Sequence, residues 1–115
     1  MIRTRKDAET GTVVVQPGAE RLTAANALQF KSEVVDVIDG GESRMAIDLT
    51  DVAFIDSSGI GALVGVLKRL GNRGDIVVFG LNKDVQRMFE ITRMNRVFPA
   101  YRDKSAALDA LSDGL

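Results

Sequence analysis

The chain has 115 residues, a length that fits one domain able to bury roughly two-thirds of the surface exposed by its unfolded form. Its 15 basic and 16 acidic residues leave a formal net charge of −1, and with 45% hydrophobic residues there is no bulk bias toward nucleic acid or membrane. It contains no cysteine and no histidine, which excludes disulfides, thiolate metal sites and a Ser-His-Asp triad, and removes the commonest general base. Met1 to Thr10 is charged and lacks the apolar centre of a signal peptide, and no apolar run approaches the ~18 residues of a membrane span. A cytoplasmic location is the expectation.

In chain order, the β-branched run Thr12 to Val15 follows a turn at Glu9, Thr10 and Gly11, and reads as a hairpin or an edge strand feeding a central one. Gln16, Pro17 and Gly18 break it. Thr23 is the expected N-cap of a helix whose apolar face is Ala27, Phe30, Val34, Val37 and Ile38, ended by Gly40 and Gly41. Ala46, Ile47, Leu49, Val52, Phe54 and Ile55 read as one buried strand with a short kink around Thr50 and Asp51. The period then changes: Ile60, Leu63, Val64, Leu67 and Leu70 recur at helical steps. At the joint stand Asp56, Ser57, Ser58 and Gly59, and the pattern places Ser57 at or near the helix N-cap.

Ile76 to Phe79 form a second buried strand ended by Gly80, and Asn82 caps a helix that turns Leu81, Val85, Met88 and Phe89 inward. Val97 and Phe98 are expected to start a last strand that Pro99 confines to an edge, and Ser105 to Leu111 an amphipathic helix. Strands alternating with helices imply crossover connections and a mostly parallel or mixed sheet, with the helices mainly on one side.

The joint has a chemistry of its own. First-turn amides and the helix dipole favour negative charge there by roughly 0.3–1 kcal/mol, so a phosphate on Ser57 would be tolerated by the fold while reversing the local surface charge. Plain capping by the serines is the other reading of the same residues. Gly61 and Gly65, four apart, mark either close packing within the chain or a partner docking beside Ser57. Gly59, Gly61 and Gly65 fit neither nucleotide-loop pattern. Asp48, Asp51 and Asp56 cluster near one strand end and read as turn and cap residues, too few oxygen ligands for a hard cation. Lys68, Arg69 and Arg73, and again Arg87, Arg93 and Arg96, make small basic patches that read as solvated charge.

Phe54, Ile55, Asp56, Ser57, Ser58, Gly59, Ile60 and Gly61, followed by Leu63, Gly65 and Lys68, resemble the signature of STAS domains, specifically the bacterial anti-sigma factor antagonists. The resemblance implies an α/β fold, one STAS-type domain over residues 1–115 with a mixed four- to five-stranded sheet and about four helices, packed mainly on one face. It implies phosphorylation at Ser57 and a partner-binding surface of Asp56, Ser57, Ser58, Gly59, Gly61, Gly65 and Thr23. The implied partners are a serine kinase of the histidine-kinase-like ATPase type, which is also the anti-sigma factor, and a metal-dependent serine phosphatase. No enzymatic activity, cofactor, direct nucleic-acid contact or membrane contact is expected. The loop that in the family reads Gly-x-Leu-Asp runs here Gly18, Ala19, Glu20, Arg21, Leu22, Thr23, with threonine at the aspartate's place. Where many members have a small residue and glycine after the third helix, Thr92, Arg93 and Met94 stand. A non-switching module of this fold in a transport or signalling assembly would bind alike with or without charge at residue 57. A small nucleotide-binding protein would show saturable nucleotide binding.

Overall fold

A computed structural model of the chain describes residues 1–113. Its central sheet has the order β1 (Arg3–Lys6), β2 (Val13–Gln16), β4 (Arg44–Asp48), β6 (Asp75–Phe79), β7 (Ala100–Tyr101), with β1 antiparallel to β2 and the other pairs parallel. A parallel pair needs a long crossover, and α1 (Ala27–Asp39), α2 (Ser57–Leu70) and α3 (Lys83–Ile91) are carried in those connections. A second, two-stranded parallel sheet joins β3 (Arg21–Leu22) to β5 (Phe54–Ile55).

Side-chain alternation divides the interior into two cores. Val13, Val15, Met45, Ile47, Ile76 and Val78 point to the face covered by α1, α2 and α3, where Phe30, Val34, Leu63, Val66 and Phe89 meet them. Val14, Ala46, Val77 and Phe79 point to the other face and pack on Ala107 and Leu111 of α4 (Lys104–Asp113). Both faces being covered explains why these strands read as unbroken apolar runs. Three helices therefore lie on one side and one on the other, in keeping with the expected layout.

Three local expectations are corrected. The run from Ala46 to Ile55 is two strands, not one: the Asp48 carboxylate accepts from Thr50 N at 2.9 Å, the Leu49 carbonyl accepts from Val52 N at 3.0 Å, and the chain turns away to pair with β3. Leu49 and Val52 are nonetheless buried, whereas Phe54 is 38% exposed. Thr23 does not cap α1. Its carbonyl accepts from Asn26 N and Ala27 N, its hydroxyl from Ala25 N at 3.3 Å, and Asn26 Oδ1 in turn accepts from Thr23 N at 3.0 Å, a closed turn one step ahead of the helix. The last strand begins after Pro99, because the amides of Val97 and Phe98 donate to the Met94 carbonyl in a 3-10 turn over Met94–Arg96. Pro99 joins the ladder through its carbonyl alone, which accepts from Val78 N at 3.0 Å.

The Asn82 cap is as expected, its Oδ1 accepting from Val85 N at 2.8 Å. The turn after α3 instead places Arg93 in the left-handed region, φ 63° and ψ 21°. An L side chain there is disfavoured by roughly 1–2 kcal/mol, and glycine is not. After allowing for glycine's greater freedom in the unfolded chain, Arg93→Gly is expected to stabilise the fold by roughly 0.5–1 kcal/mol and raise Tm by a few degrees, read in a thermal melt.

Candidate functional site

The site grows out of the small β3–β5 sheet. In its register Leu22 faces Ile55 and both are buried, so Arg21 and Phe54 are turned outward. The Arg21 guanidinium lies 4.5 Å from the Phe54 ring centroid, a cation–π stack that covers part of the exposed aromatic. The pairing continues one residue further, where Asp56 N donates to the Leu22 carbonyl at 3.2 Å.

That bond holds Asp56 extended, φ −106° and ψ −174°, the backbone an N-cap requires. Asp56, and not Ser57, is the N-cap of α2: one carboxylate oxygen accepts from Gly59 N at 3.0 Å, and the Asp56 carbonyl accepts from Ile60 N at 3.0 Å. The other carboxylate oxygen accepts from Ala24 N at 3.4 Å, which ties the Thr23 turn to the start of the helix. A carboxylate at this position also meets the positive end of the helix dipole. Ser57 and Ser58 are consequently the first two helical residues, both exposed. Among the described residues neither hydroxyl has a hydrogen-bond partner, and their two amides, left over at the head of the helix, have none either.

The glycines play three different parts. Gly59 is buried, and a Cβ on it would run into the Leu22 carbonyl oxygen and lie 2.6 Å from Ile55 Cγ1. It is the seam that lets α2 start hard against β3 and β5. Gly61, on the Ser57 side of the helix one turn on, faces open space, with nothing within 4 Å of where a Cβ would stand. Gly65, a further turn on, lies under the Lys31 side chain of α1, whose Cε would be 2.7 Å from an added Cβ. Gly61 and Gly65 therefore do not form one bare track: only the first is open, and the second is covered from within the chain.

Asp56, Ser57, Ser58, Gly61 and the Thr23 turn thus share one patch, with Gly59 beneath it. The sequence reading gave Arg21 no role and took Phe54, part of the family signature, as a buried strand residue, whereas its alternation with Ile55 is that of a short, one-faced strand. It also passed over Leu28, 82% exposed on α1 and off the apolar stripe of Ala27, Phe30 and Val34. Asp48 has the turn role expected of it, and its second oxygen accepts from Gln16 Nε2 at 3.2 Å.

The site is thus a serine exposed at the head of a helix, with the neighbouring carboxylate already engaged as its cap. The class is a regulatory docking domain. More particularly, the chain belongs to the STAS domain family, whose model matches residues 3–107. It is 32% identical over 95 residues to BtrV of Bordetella bronchiseptica, assigned as an anti-sigma factor antagonist, covering 82% of each chain. It is 42% identical over 66 residues to the anti-sigma-B factor antagonist of Listeria monocytogenes, 56% of each. Among solved structures it resembles TM1081 of Thermotoga maritima, assigned as an anti-sigma factor antagonist, with TM-score 0.83 and 26% identity over 96% of this chain and 93% of that one.

Proposed function

We propose that this protein is an anti-sigma factor antagonist that switches by phosphorylation of Ser57. Unmodified, it binds an anti-sigma factor and frees a sigma factor; phosphorylated, it lets go. The observation that carries this reading is the unengaged Ser57 hydroxyl at the head of α2, exposed because Asp56 has taken over the cap. A phosphate there adds about −1.5 to −2 charge beside two free amides and a helix N-terminus, so the fold accommodates it while the patch, which already holds Asp56, becomes strongly anionic. The partner-binding set is Asp56, Ser57, Ser58, Gly61 and the Thr23 turn, with Gly59 and Gly65 shaping the helix beneath. Membership of this family and the names of the relatives support the assignment, and a single domain across residues 1–115 acting in the cytoplasm fits it. The partners that complete the cycle are a serine kinase of the histidine-kinase-like ATPase type, itself the anti-sigma factor, and a metal-dependent serine phosphatase. The chain is their substrate and does no chemistry of its own.

Incubating the purified chain with native-host lysate and labelled ATP tests this. Label is expected on Ser57 by peptide mapping, absent from Ser57→Ala and retained in Ser58→Ala. Label confined to Ser58, or none on either serine, would remove the switch and leave a static interaction module of the same fold as the better account.

A further inference from the structure

Charge is unevenly shared along this chain. Residues 83–102 hold five cations, Lys83, Arg87, Arg93, Arg96 and Arg102, against the two acids Asp84 and Glu90, so the stretch carries +3 while the remainder carries −4. Among the described residues Lys83, Arg87, Arg93 and Arg96 enter no ion pair, and Arg102 has a long 3.7 Å contact with Asp103. Arg73 shows the contrast: its guanidinium is engaged by the Leu70 and Arg69 carbonyls at 3.3 and 2.6 Å. Amid the free cations two aliphatic side chains are exposed, Ile91 at 70% and Val97 at 43%.

Of these cations Lys83 stands at the head of α3, and Arg93, Arg96 and Arg102 follow its end. The head of α3 is fixed beside β5, where Asn82 Nδ2 donates to the Val52 and Ala53 carbonyls at 3.3 and 3.2 Å. The helix then runs nine residues, about 13 Å at 1.5 Å per residue, before Arg93. At that far end the backbone is held against its preference, with arginine in a left-handed conformation that glycine would adopt freely. Such conformations persist where they serve binding more often than elsewhere. Between α3, the 3-10 turn and β7 opens a cavity of about 370 Å³, floored by Leu81, Phe89 and Tyr101 and rimmed by Glu90, Asn95 and Arg102.

We propose that this corner is a second docking surface, for a carboxylate-rich protein segment that seats one apolar side chain in the cavity, pairs an acid with Arg102 on its rim, and reaches Arg93 and Arg96 on the turn that supplies Asn95. Four of the five cations are arginines, whose planar fork matches a carboxylate with two parallel bonds. Glu90 on the rim opposes a uniformly anionic sheet of headgroups or a phosphate backbone, yet leaves space for discrete acids. The one tyrosine is partly buried in the floor, which leaves no aromatic platform for stacking bases. None of the residues lining the cavity belongs to the Ser57 patch, so the proposed segment and a partner at Ser57 have separate footprints.

The test is a titration of the isotopically labelled full chain with a synthetic peptide of alternating glutamate and leucine, followed by amide NMR shifts. Saturable shifts are expected at Ile91, Arg93, Asn95, Arg96 and Arg102, with the Ser57 amide unmoved. Arg96→Gln is expected to weaken binding roughly tenfold. Arg93→Gly is expected to weaken it comparably while raising Tm, so that the loss arises in a more stable protein and is not misfolding. Arg73→Gln, outside the corner, should leave binding as it was. Shifts that never saturate, or that spread equally over Lys68 and Arg69, overturn the proposal. So does a corner that responds to phosphatidylserine vesicles or duplex DNA and not to the peptide.

Discussion

Ser57→Asp is expected to lower affinity for the anti-sigma partner by about 100-fold or more, while Ser57→Ala stays within a few-fold of the unmodified protein. The asymmetry follows from where the residue sits. Ser57 is exposed at the head of α2, beside the Thr23 turn and one turn from open Gly61, so a partner docked as proposed would remove it from water. A hydroxyl there is easily accommodated or dispensed with; a carboxylate must be desolvated, and meets repulsion wherever the partner face is acidic or apolar. Unfavourable charge at an interface costs several kcal/mol, and about 3 kcal/mol is two orders of magnitude in Kd. The same substitution should not harm the fold. The first turn of α2 holds no acidic residue, and an acid placed there is favoured by roughly 0.3–1 kcal/mol. Loss of binding with an unchanged or raised Tm is therefore the signature to look for. The measurement is which proteins wild-type, Ser57→Ala and Ser57→Asp baits retain from native lysate, followed by calorimetry with the partner so identified; the proposed switch expects that partner to be an ATPase-like kinase. Equal retention by all three would show that charge at residue 57 does not govern docking.

Much of this arrangement was legible in the sequence because burial leaves a periodic trace. Ile76 to Val78 are apolar on both faces and read as a buried strand, and Ile60, Leu63 and Leu70 recur at helical steps and are buried as read. Val64 and Leu67 of the same stripe are only half-buried, with Val66 in the core instead, and Val13 to Val15, read as a hairpin or an edge strand, lie inside the sheet between β1 and β4. What burial does not record is which backbone groups pair. Leu49 and Val52 are as buried as any strand residue, yet their amides serve a turn and the edge of β6, so the pattern ran two strands into one. Asp56 and Ser57 are both good caps, and nothing local chooses between them. The choice is made by Leu22, distant in sequence, whose carbonyl holds Asp56 extended. Lys31 over Gly65 is likewise a contact between helices that no motif announces. Arg93 is the reverse case: its residue type argues against the left-handed turn that its neighbours impose.

Alanine at Gly59, Gly61 and Gly65 should have three different outcomes in a helix where propensity alone would give three equal gains of about 1 kcal/mol. Gly59→Ala is expected to destabilise by roughly 2–3 kcal/mol. Its methyl group meets the Leu22 carbonyl, a backbone atom that cannot swing aside because it already accepts from Asp56 N, and Ile55 Cγ1 on the other side. Relief requires the head of α2 to lift, which loosens the Asp56 cap and the strand bond together, each a loss of about 1 kcal/mol on top of the overpacking itself. Gly61→Ala has empty space to fill and should stabilise by roughly 0.5–1 kcal/mol. Gly65→Ala displaces only the flexible end of Lys31 and should fall between them, near neutral or slightly stabilising. Urea unfolding of the three variants reads this directly, as midpoints that move down, up and little, at constant m. If Gly59→Ala and Gly61→Ala move together, the tight seam under the serine does not exist as described. Gly61→Ala carries a second reading as well. A methyl group one turn from Ser57 that stabilises the fold but weakens partner retention would place the docking surface on the bare backbone of that turn, where a stability effect alone could not account for the loss.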